Sequence, residues 1–322
     1  MHLWLDVARS LGLTLAEVVA ILENAPHRYK VYSIPKRNGG RRFIAQPSRE
    51  LKRIQHAIMN TALSQLPVHE SATAYRKGRN IRDNAIRHAQ NPLILKTDFQ
   101  DFFNSIRAID FRLYCQKHRI FVAPKELDLA TKALFWFNPI KGMLCLSVGA
   151  PSSPLLSNLL MYDFDVFTSN LCRQMGVQYS RYADDITLSG ENRHDLQAVQ
   201  KNIEIWLDQQ QHPRLKFKPD KTVFVSKRFR RSVTGLIITN DGKISIGRER
   251  KRVISAKIHK YKIGQIDEKS ALELSGLLAY AKSVEPSFFM AMQRKYGADL
   301  IARISRTPVF PSKSDKQRKM VA

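Results

Sequence analysis

Tyr179-Ser180-Arg181-Tyr182-Ala183-Asp184-Asp185-Ile186-Thr187-Leu188-Ser189 reads as two short strands around a tight turn. Tyr179 and Tyr182 precede the turn, and Ile186, Thr187 and Leu188 follow it; all are residue types that suit a pleated sheet. Asp184 and Asp185 fall at the tip. Taken alone, an Asp-Asp pair in a turn is common, because Asp tolerates turn geometry. Two adjacent carboxylates nevertheless repel each other until a cation neutralises them. Ligands that are all oxygen favour Mg²⁺, which binds through one or two carboxylates plus substrate phosphates. Nucleotidyl transfer by two such ions, about 3.5–4 Å apart, wants a third carboxylate at the end of another strand. Leu93-Ile94-Leu95-Lys96-Thr97-Asp98 is a short apolar strand that ends in one, and Phe99-Gln100-Asp101-Phe102-Phe103 follows it.

The composition points the same way. Of 322 residues, 43% are hydrophobic, enough for a sizeable core and too many for a disordered chain. Lys and Arg number 53 against 28 Asp and Glu, a net charge of +25, so a polyanion is the default partner. Cys115, Cys145 and Cys172 have no metal-like spacing and read as reduced thiols of a cytoplasmic protein. No signal peptide is indicated by the residues after Met1. The longest uncharged run, Gly142–Tyr162, holds Pro151 and Pro154 and is rejected as a membrane span.

The strand ending in Asp98, the aromatic run after it and Tyr182-Ala183-Asp184-Asp185 together resemble the palm of a reverse transcriptase. The resemblance implies an α+β right-hand polymerase with fingers, a palm built on a small antiparallel sheet, and a helical thumb. It implies that Asp98, Asp184 and Asp185 bind two Mg²⁺, with the Phe99 carbonyl as a further oxygen. Phe103, five residues past Asp98, then takes the place of the aromatic gate that rejects a 2′-hydroxyl. Phe99, Phe102 and Phe103 equally suit an ordinary core, and Phe102 is expected there.

Other segments extend the likeness in order. Val31 to Ala45 alternates around Asn38-Gly39, a strong hairpin turn. The hairpin carries Lys36, Arg37, Arg41 and Arg42 and resembles the fingers flap, where Arg42 and Lys36 match the cations that hold a nucleoside triphosphate. As a bare pattern it is equally an exposed basic loop. Leu146 to Pro154 resembles the Gln-Gly-Ala-Pro-x-Ser-Pro motif along the nucleotide, and Gly149 and Ala150 match its Gly-Ala. Val148 stands where the family has glutamine, which removes a hydrogen-bonding group near the sugar and no metal ligand. Lys221, before Thr222, matches the palm lysine that protonates the departing pyrophosphate; on physics alone a solvated lysine fits equally.

Two further elements resemble the hallmarks of retron reverse transcriptases. Asn84-Ala85-Ile86-Arg87-His88 matches Asn-Ala-x-x-His, and Val233-Thr234-Gly235 matches Val-Thr-Gly, which the family links to recognition of its own RNA. Asn84 and His88, four apart, share a helix face and are otherwise read as a capping and hydrogen-bonding pair. From Lys227 to Lys262 there are twelve Lys or Arg against Asp241 and Glu249, with Phe229 and Tyr261 available to stack on bases.

The expected organisation is an N-terminal helical segment at 1–28, opened by a capping box at Thr14 and Glu17, then fingers at 29–92 and palm at 93–226. A helical insertion lies around 106–140, where Leu127, Thr131, Leu134 and Phe135 suggest a buried helix ended by Asn138-Pro139. A primer-grip hairpin over 227–247 turns at Asn240-Asp241-Gly242. A helical thumb fills 248–304 in three helices, 248–263, 268–284 and 286–304, before a basic tail at 305–322.

The resemblance implies an RNA-directed DNA polymerase of a retron. Such an enzyme binds a cognate structured non-coding RNA, primes from a 2′-hydroxyl of an internal guanosine and consumes dNTPs. It leaves a branched, RNA-linked multicopy single-stranded DNA. Antiphage defence with an effector protein is the implied setting. The chain after the thumb is too short for an RNase H domain, given that domains need at least ~50 residues, so template removal falls to a host RNase H. Two other readings stay open on the residues: another bacterial reverse transcriptase, intron-associated or making untemplated DNA, and an RNA-binding protein with an inactive palm.

Overall fold

Amphipathic spacing opens the chain with two paired helices, α1 (His2–Leu11) and α2 (Leu15–Glu23). Thr14 caps α2 as its spacing foretells: the Glu17 N–H donates to Thr14 Oγ1 at 3.3 Å and the Thr14 N–H to Glu17 Oε2 at 2.7 Å. Two backbone donors that a helix start leaves bare are thereby satisfied. The structure, a computed structural model, describes residues 2–36 and 39–306. Arg37, Asn38 of the expected turn, and the basic tail from Lys313 to Ala322 lie outside the described residues.

Strands β1 (Tyr29–Pro35) and β2 (Arg41–Pro47) pair antiparallel, from Tyr29 opposite Pro47 to Pro35 opposite Arg41. Helix α3 (Arg49–Ile58) is capped by Ser48 and buries Leu51, Ile54 and Ile58. A short α4 (Ile81–Ile86) precedes β3 (Leu93–Asp98). Then come α5 (Phe102–Ser105), α6 (Ala108–His118) and α7 (Pro124–Leu134). Strands β4 (Trp136–Asn138) and β5 (Met143–Cys145) form a small hairpin. Helices α8 (Ser153–Leu160) and α9 (Tyr162–Gln174) lead into β6 (Gln178–Tyr182) and β7 (Asp185–Gly190). After α10 (Arg193–Gln209) and β8 (Val223–Ser226) the chain makes β9 (Arg231–Val233), β10 (Leu236–Ile238) and β11 (Ile244–Ser245). It closes with α11 (Arg248–Lys262), α12 (Glu268–Val284), α13 (Pro286–Tyr296) and α14 (Ala298–Ser305).

Three expectations about individual elements change. Phe135 leaves α7, because the β-prone Trp136-Phe137-Asn138 finds a strand partner in Met143–Cys145. The last helix is broken in two at Gly297, whose φ of +95° no helix accommodates. The 227–247 stretch is a three-stranded meander, β9–β10–β11, rather than one hairpin, because the chain also reverses at Thr234-Gly235.

The chain divides into two compact units, residues 1–80 with 91–226, and residues 81–90 with the chain from 227 onward. The first unit is built on a four-stranded antiparallel sheet in the order β6-β7-β3-β8. Leu95, Ile186 and Leu188 of the sheet share one buried cluster with Phe164 of α9 and Leu196, Val199 and Ile203 of α10. Alternation decides which residues do so: a strand shows its side chains to opposite faces in turn. In the second unit, α12 packs against α11, α13 and α14 and buries Leu274, Leu278 and Ala281. Residues 81–90, expected with the fingers at 29–92, are grouped with this unit, where α4 packs on β9, β10 and β11.

Candidate active site

The register of the central sheet brings the carboxylates together. On the paired strands β3 and β7, Asp98 stands opposite Asp185, with Thr97 opposite Ile186. The turn between β6 and β7 is only Ala183-Asp184, and the Asp184 charge acts on both Asp98 and Asp185. The Phe99 N–H donates to the Asp184 carbonyl at 3.3 Å and ties the end of β3 to the turn.

Two of the three carboxylates hold their protons unusually tightly. Asp98 is pushed up to about 7, first by burial and then by the charges of Asp184 and Asp185. Asp185 is pushed up to about 6, because surrounding protein displaces part of its water and Asp184 repels it. Lys221 pulls both down, which puts its ammonium within electrostatic reach of the pair. Asp98 Oδ1 is buried and accepts no hydrogen bond from the described residues. An oxygen in that state is costly until a donor or a cation meets it. This all-oxygen donor set fits Mg²⁺. Among the described residues no group of three or more His, Cys, Asp or Glu side chains is placed to hold a metal ion. Asp98 and Asp185 stand at the ends of the two central strands of the sheet, and Mg²⁺ characteristically takes part of its coordination from substrate phosphates.

Lys221 owes its place to the chain that follows α10. The Lys218 N–H donates to the Asp98 carbonyl at 2.7 Å, and the Gln100 N–H to the Lys216 carbonyl at 2.9 Å. The hydroxyls of Thr97 and Thr222 are 2.9 Å apart. Phe99 is buried, with its ring 5.2 Å from Phe217, 5.4 Å from Phe164 and 5.5 Å from Phe102. Phe103 is partly buried, its ring 5.3 Å from that of Phe102.

Beneath the turn lies a network that local sequence reading misses. Arg181 is wholly buried and makes a two-pronged ion pair with Asp165 of α9, Nε to Oδ1 at 2.8 Å and Nη2 to Oδ2 at 2.6 Å. The Tyr179 hydroxyl donates to Asp165 Oδ1 at 2.6 Å. Arg181 Nη1 donates to the carbonyl of Ala183 at 3.1 Å. Ala183 has φ +58°, a left-handed backbone uncommon for a residue with a Cβ. Burial works against the Arg181 charge, and the Asp165 carboxylate outweighs it, so its pKa sits above the ordinary value. The segment Ser71–Thr73 runs along the outer edge of β6: the Arg181 N–H donates to the Ser71 carbonyl and the Thr73 N–H to the Arg181 carbonyl, both at 2.8 Å. Tyr75, just beyond, is half-exposed and is raised by burial and then by the charge of Asp184, with Arg42 and Asp185 also in reach. Its aromatic residue type was the one available signal for this placement.

The hairpin cations Lys36 and Arg42 are exposed, and the turn closes through the Lys36 N–H to the Gly40 carbonyl at 3.0 Å. Gly149 lies tight against β2. A Cβ there would lie 2.9 Å from the Ala45 carbonyl and from the Ile44 side chain. The Ala45 N–H also donates to the Val148 carbonyl at 2.9 Å, which pins β2 to this loop. Ala150 is buried, with its N–H donated to Ser147 Oγ at 3.2 Å.

The two short elements expected at an RNA surface meet inside the second unit. Asn84 and His88 are buried, and burial holds the His88 imidazole down to about 3, neutral at any ordinary pH. Thr234 (φ +48°) and Gly235 (φ +78°) form the turn between β9 and β10. Left-handed backbone is rare for a β-branched residue. Here Thr234 Oγ1 donates to the Ile81 carbonyl at 3.1 Å, and Arg250 Nη1 donates to the Gly235 carbonyl at 3.0 Å. Buried Val233, on β9, completes the triplet.

Comparison with known proteins gives a consistent result. Residues 34–257 match the family described as reverse transcriptase (RNA-dependent DNA polymerase). The chain is 36% identical to the retron Ec83 reverse transcriptase of Escherichia coli over 305 residues, 94% of this chain and 98% of that protein. It is 31% identical to the retron Ec73 reverse transcriptase of the same organism, covering 84% of this chain and 88% of the relative. Among solved structures, apo telomerase from Candida tropicalis is similar in fold, with a TM-score of 0.53 at 12% identity, over 88% of this chain and 58% of the telomerase.

Proposed function

This chain belongs to the reverse transcriptase family, and within it to the retron enzymes, and on that premise we propose that Asp98, Asp184 and Asp185 hold two Mg²⁺ ions. It is an RNA-directed DNA polymerase of a retron, and RNA is its template partner. The family uses divalent ions. The observation that most supports this assignment of ligands is the register of Asp98 against Asp185, with Asp98 Oδ1 buried and without a donor among the described residues.

The remaining roles follow from position. Two ions held by Asp98, Asp184 and Asp185 would supply a lowered pKa for the primer hydroxyl and charge stabilisation for the departing pyrophosphate. Lys221 supplies a proton to that pyrophosphate. Arg42 and Lys36 orient the triphosphate, Phe103 lies under the sugar, and the Phe99 carbonyl is a further oxygen. Gly149 and Ala150 act on the nucleotide indirectly, by fixing the loop against β2. Catalysis is then mainly positioning and electrostatics.

The product is a branched RNA-linked DNA, copied from the cognate non-coding RNA and primed by an internal guanosine 2′-hydroxyl. Host RNase H removes the template, and an effector protein completes a defence module in the cytoplasm. Among the described residues no helix is long and apolar enough to cross a membrane. The test is to express the gene with its flanking DNA and run the bound nucleic acid on a denaturing gel after RNase or DNase. A discrete small species sensitive to both enzymes, and absent with Asp184→Asn, is the expected result. Heterogeneous DNA without attached RNA would instead assign the chain to another class of bacterial reverse transcriptase.

The Val233-Thr234-Gly235 turn gives a second expected result. Thr234→Val removes the hydroxyl that holds Ile81, and Gly235→Ala strains a left-handed turn by about 1 kcal/mol or more. Both together reduce use of the cognate RNA at least tenfold, and copying of a homopolymer far less. Equal loss on both templates in a primer-extension assay would reduce the triplet to a general structural role.

A further inference from the structure

The second unit offers RNA few of the groups that its sequence elements point to. Asn84 and His88 are buried, the Thr234 hydroxyl is donated to Ile81, and the Gly235 carbonyl is taken by Arg250. What it does present leads into β9, in Lys227-Arg228-Phe229-Arg230 and the first strand residue, Arg231. Phe229 is 72% exposed, more than any other Phe, Tyr or Trp among the described residues. Lys227, Arg228 and Arg230 are exposed around it. Arg231 turns inward instead: it is buried, and its Nη2 donates to the Thr239 carbonyl at 2.6 Å. That bond and the pairing of Arg231 with Ile238 fix one end of the loop to the sheet. No carboxylate occurs in the sequence from 227 to 240.

A phenylalanine left in water forgoes the burial that a core would give it, so one set among cations asks for an occupant. An acidic protein surface would satisfy the cations and leave the ring little to do. An unpaired nucleobase with its backbone satisfies both at once: the ring stacks on the base, and the cations take the flanking phosphates. We propose that the loop 227–231 is a stacking anchor for an unpaired base of nucleic acid, with Phe229 as the platform. The proposal rests on the polymerase reading and names how this unit grips its nucleic acid. It also gives the buried Asn84, His88 and Thr234 a task, which is to hold the sheet that carries the loop.

The test uses the full chain and a short single-stranded RNA with 2-aminopurine at internal positions, beside the same sequence as DNA and as a blunt RNA duplex. Stacking on Phe229 quenches the fluorescence of the single strands. Phe229→Ala weakens single-strand binding about tenfold and removes the quench, whereas Phe229→Trp retains both. Duplex affinity and the melting temperature stay with the parent, because the side chain is mostly in water. A Phe229→Ala protein that binds and quenches like the parent overturns the proposal. So does equal weakening on single strand and duplex, which would reduce the loop to a charge patch. Loss of a protein partner with RNA affinity unchanged would reassign it to a protein surface. RNA and DNA arms of equal strength identify the shared unpaired base as the ligand, and a stronger RNA arm adds the 2′-hydroxyl. The polymerase reading fails separately: a parent protein that stacks on the RNA but extends no primer on any RNA template refutes that reading and leaves the anchor standing.

Discussion

Asp98→Asn lowers RNA-templated DNA synthesis by about 10³-fold or more, while RNA affinity stays within about threefold. The substitution keeps the shape of the side chain and removes its charge. A cation held at the reacting phosphate contributes several kcal/mol to the transition state, and each 1.36 kcal/mol is tenfold in rate. Single-turnover primer extension at saturating RNA measures the chemical step. Synthesis within about tenfold of the parent would remove Asp98 from the metal site.

The same variant carries a stability signature that an inert position lacks. In the folded protein Asp98 titrates at about 7 and Asp185 at about 6, against 3.8 for an unhindered Asp. The folded state therefore holds its protons more tightly than the unfolded state does. The stability this provides is fully present below about pH 4 and is lost as pH rises through about 6–7. In chelator, the parent should melt progressively lower across that window. Asp98→Asn should lose less, so its advantage over the parent grows with pH. Adding Mg²⁺ should raise the parent above the variant at neutral pH, because an ion that binds only the folded state stabilises it. Parallel melting curves for the two proteins across that window, with or without Mg²⁺, would be evidence against a strained carboxylate cluster.

Arg181→Met produces the largest expected loss of stability. It leaves the Asp165 charge buried without its guanidinium, at a cost of about 3–5 kcal/mol. For a unit of this size that lowers the melting temperature by on the order of 10 °C. The Ala183 carbonyl loses its donor as well, at the turn that carries Asp184 and Asp185. Combining Arg181→Met with Asp165→Leu should restore most of the melting temperature, since a buried pair replaced by apolar groups is often neutral. It should not restore synthesis, because the turn still lacks its tether. A double variant that recovers both would show that Arg181 serves stability alone.

Local pattern made the palm legible. An apolar run that ends in Asp98, and β-prone arms on each side of Ala183-Asp184, state two strands and a turn without any tertiary information. Their pairing follows from the need to place Leu95, Ile186 and Leu188 on the same buried face, because a slip of one residue would turn that face outward. The capping box at Thr14 and the helices α11 and α12 were readable for the same reason: each is decided by residues three or four apart.

What the sequence left open is set by partners far apart in the chain. Arg181 finds Asp165, Gly149 finds Ala45, and Trp136 finds Cys145 across a hairpin. Residues 81–90 leave the neighbouring fingers segment for a sheet that starts at residue 231, and there Thr234 finds Ile81. No periodicity encodes such choices, since they depend on which buried polar groups and close approaches the assembled core must satisfy. The sequence by itself determined most of the helices and the two strands that place Asp98 and Asp184-Asp185. The tertiary structure decided which of the sequence's polar elements face a ligand and which are spent on the protein, because a side chain whose hydrogen bonds are buried inside the fold has none left to offer outside it.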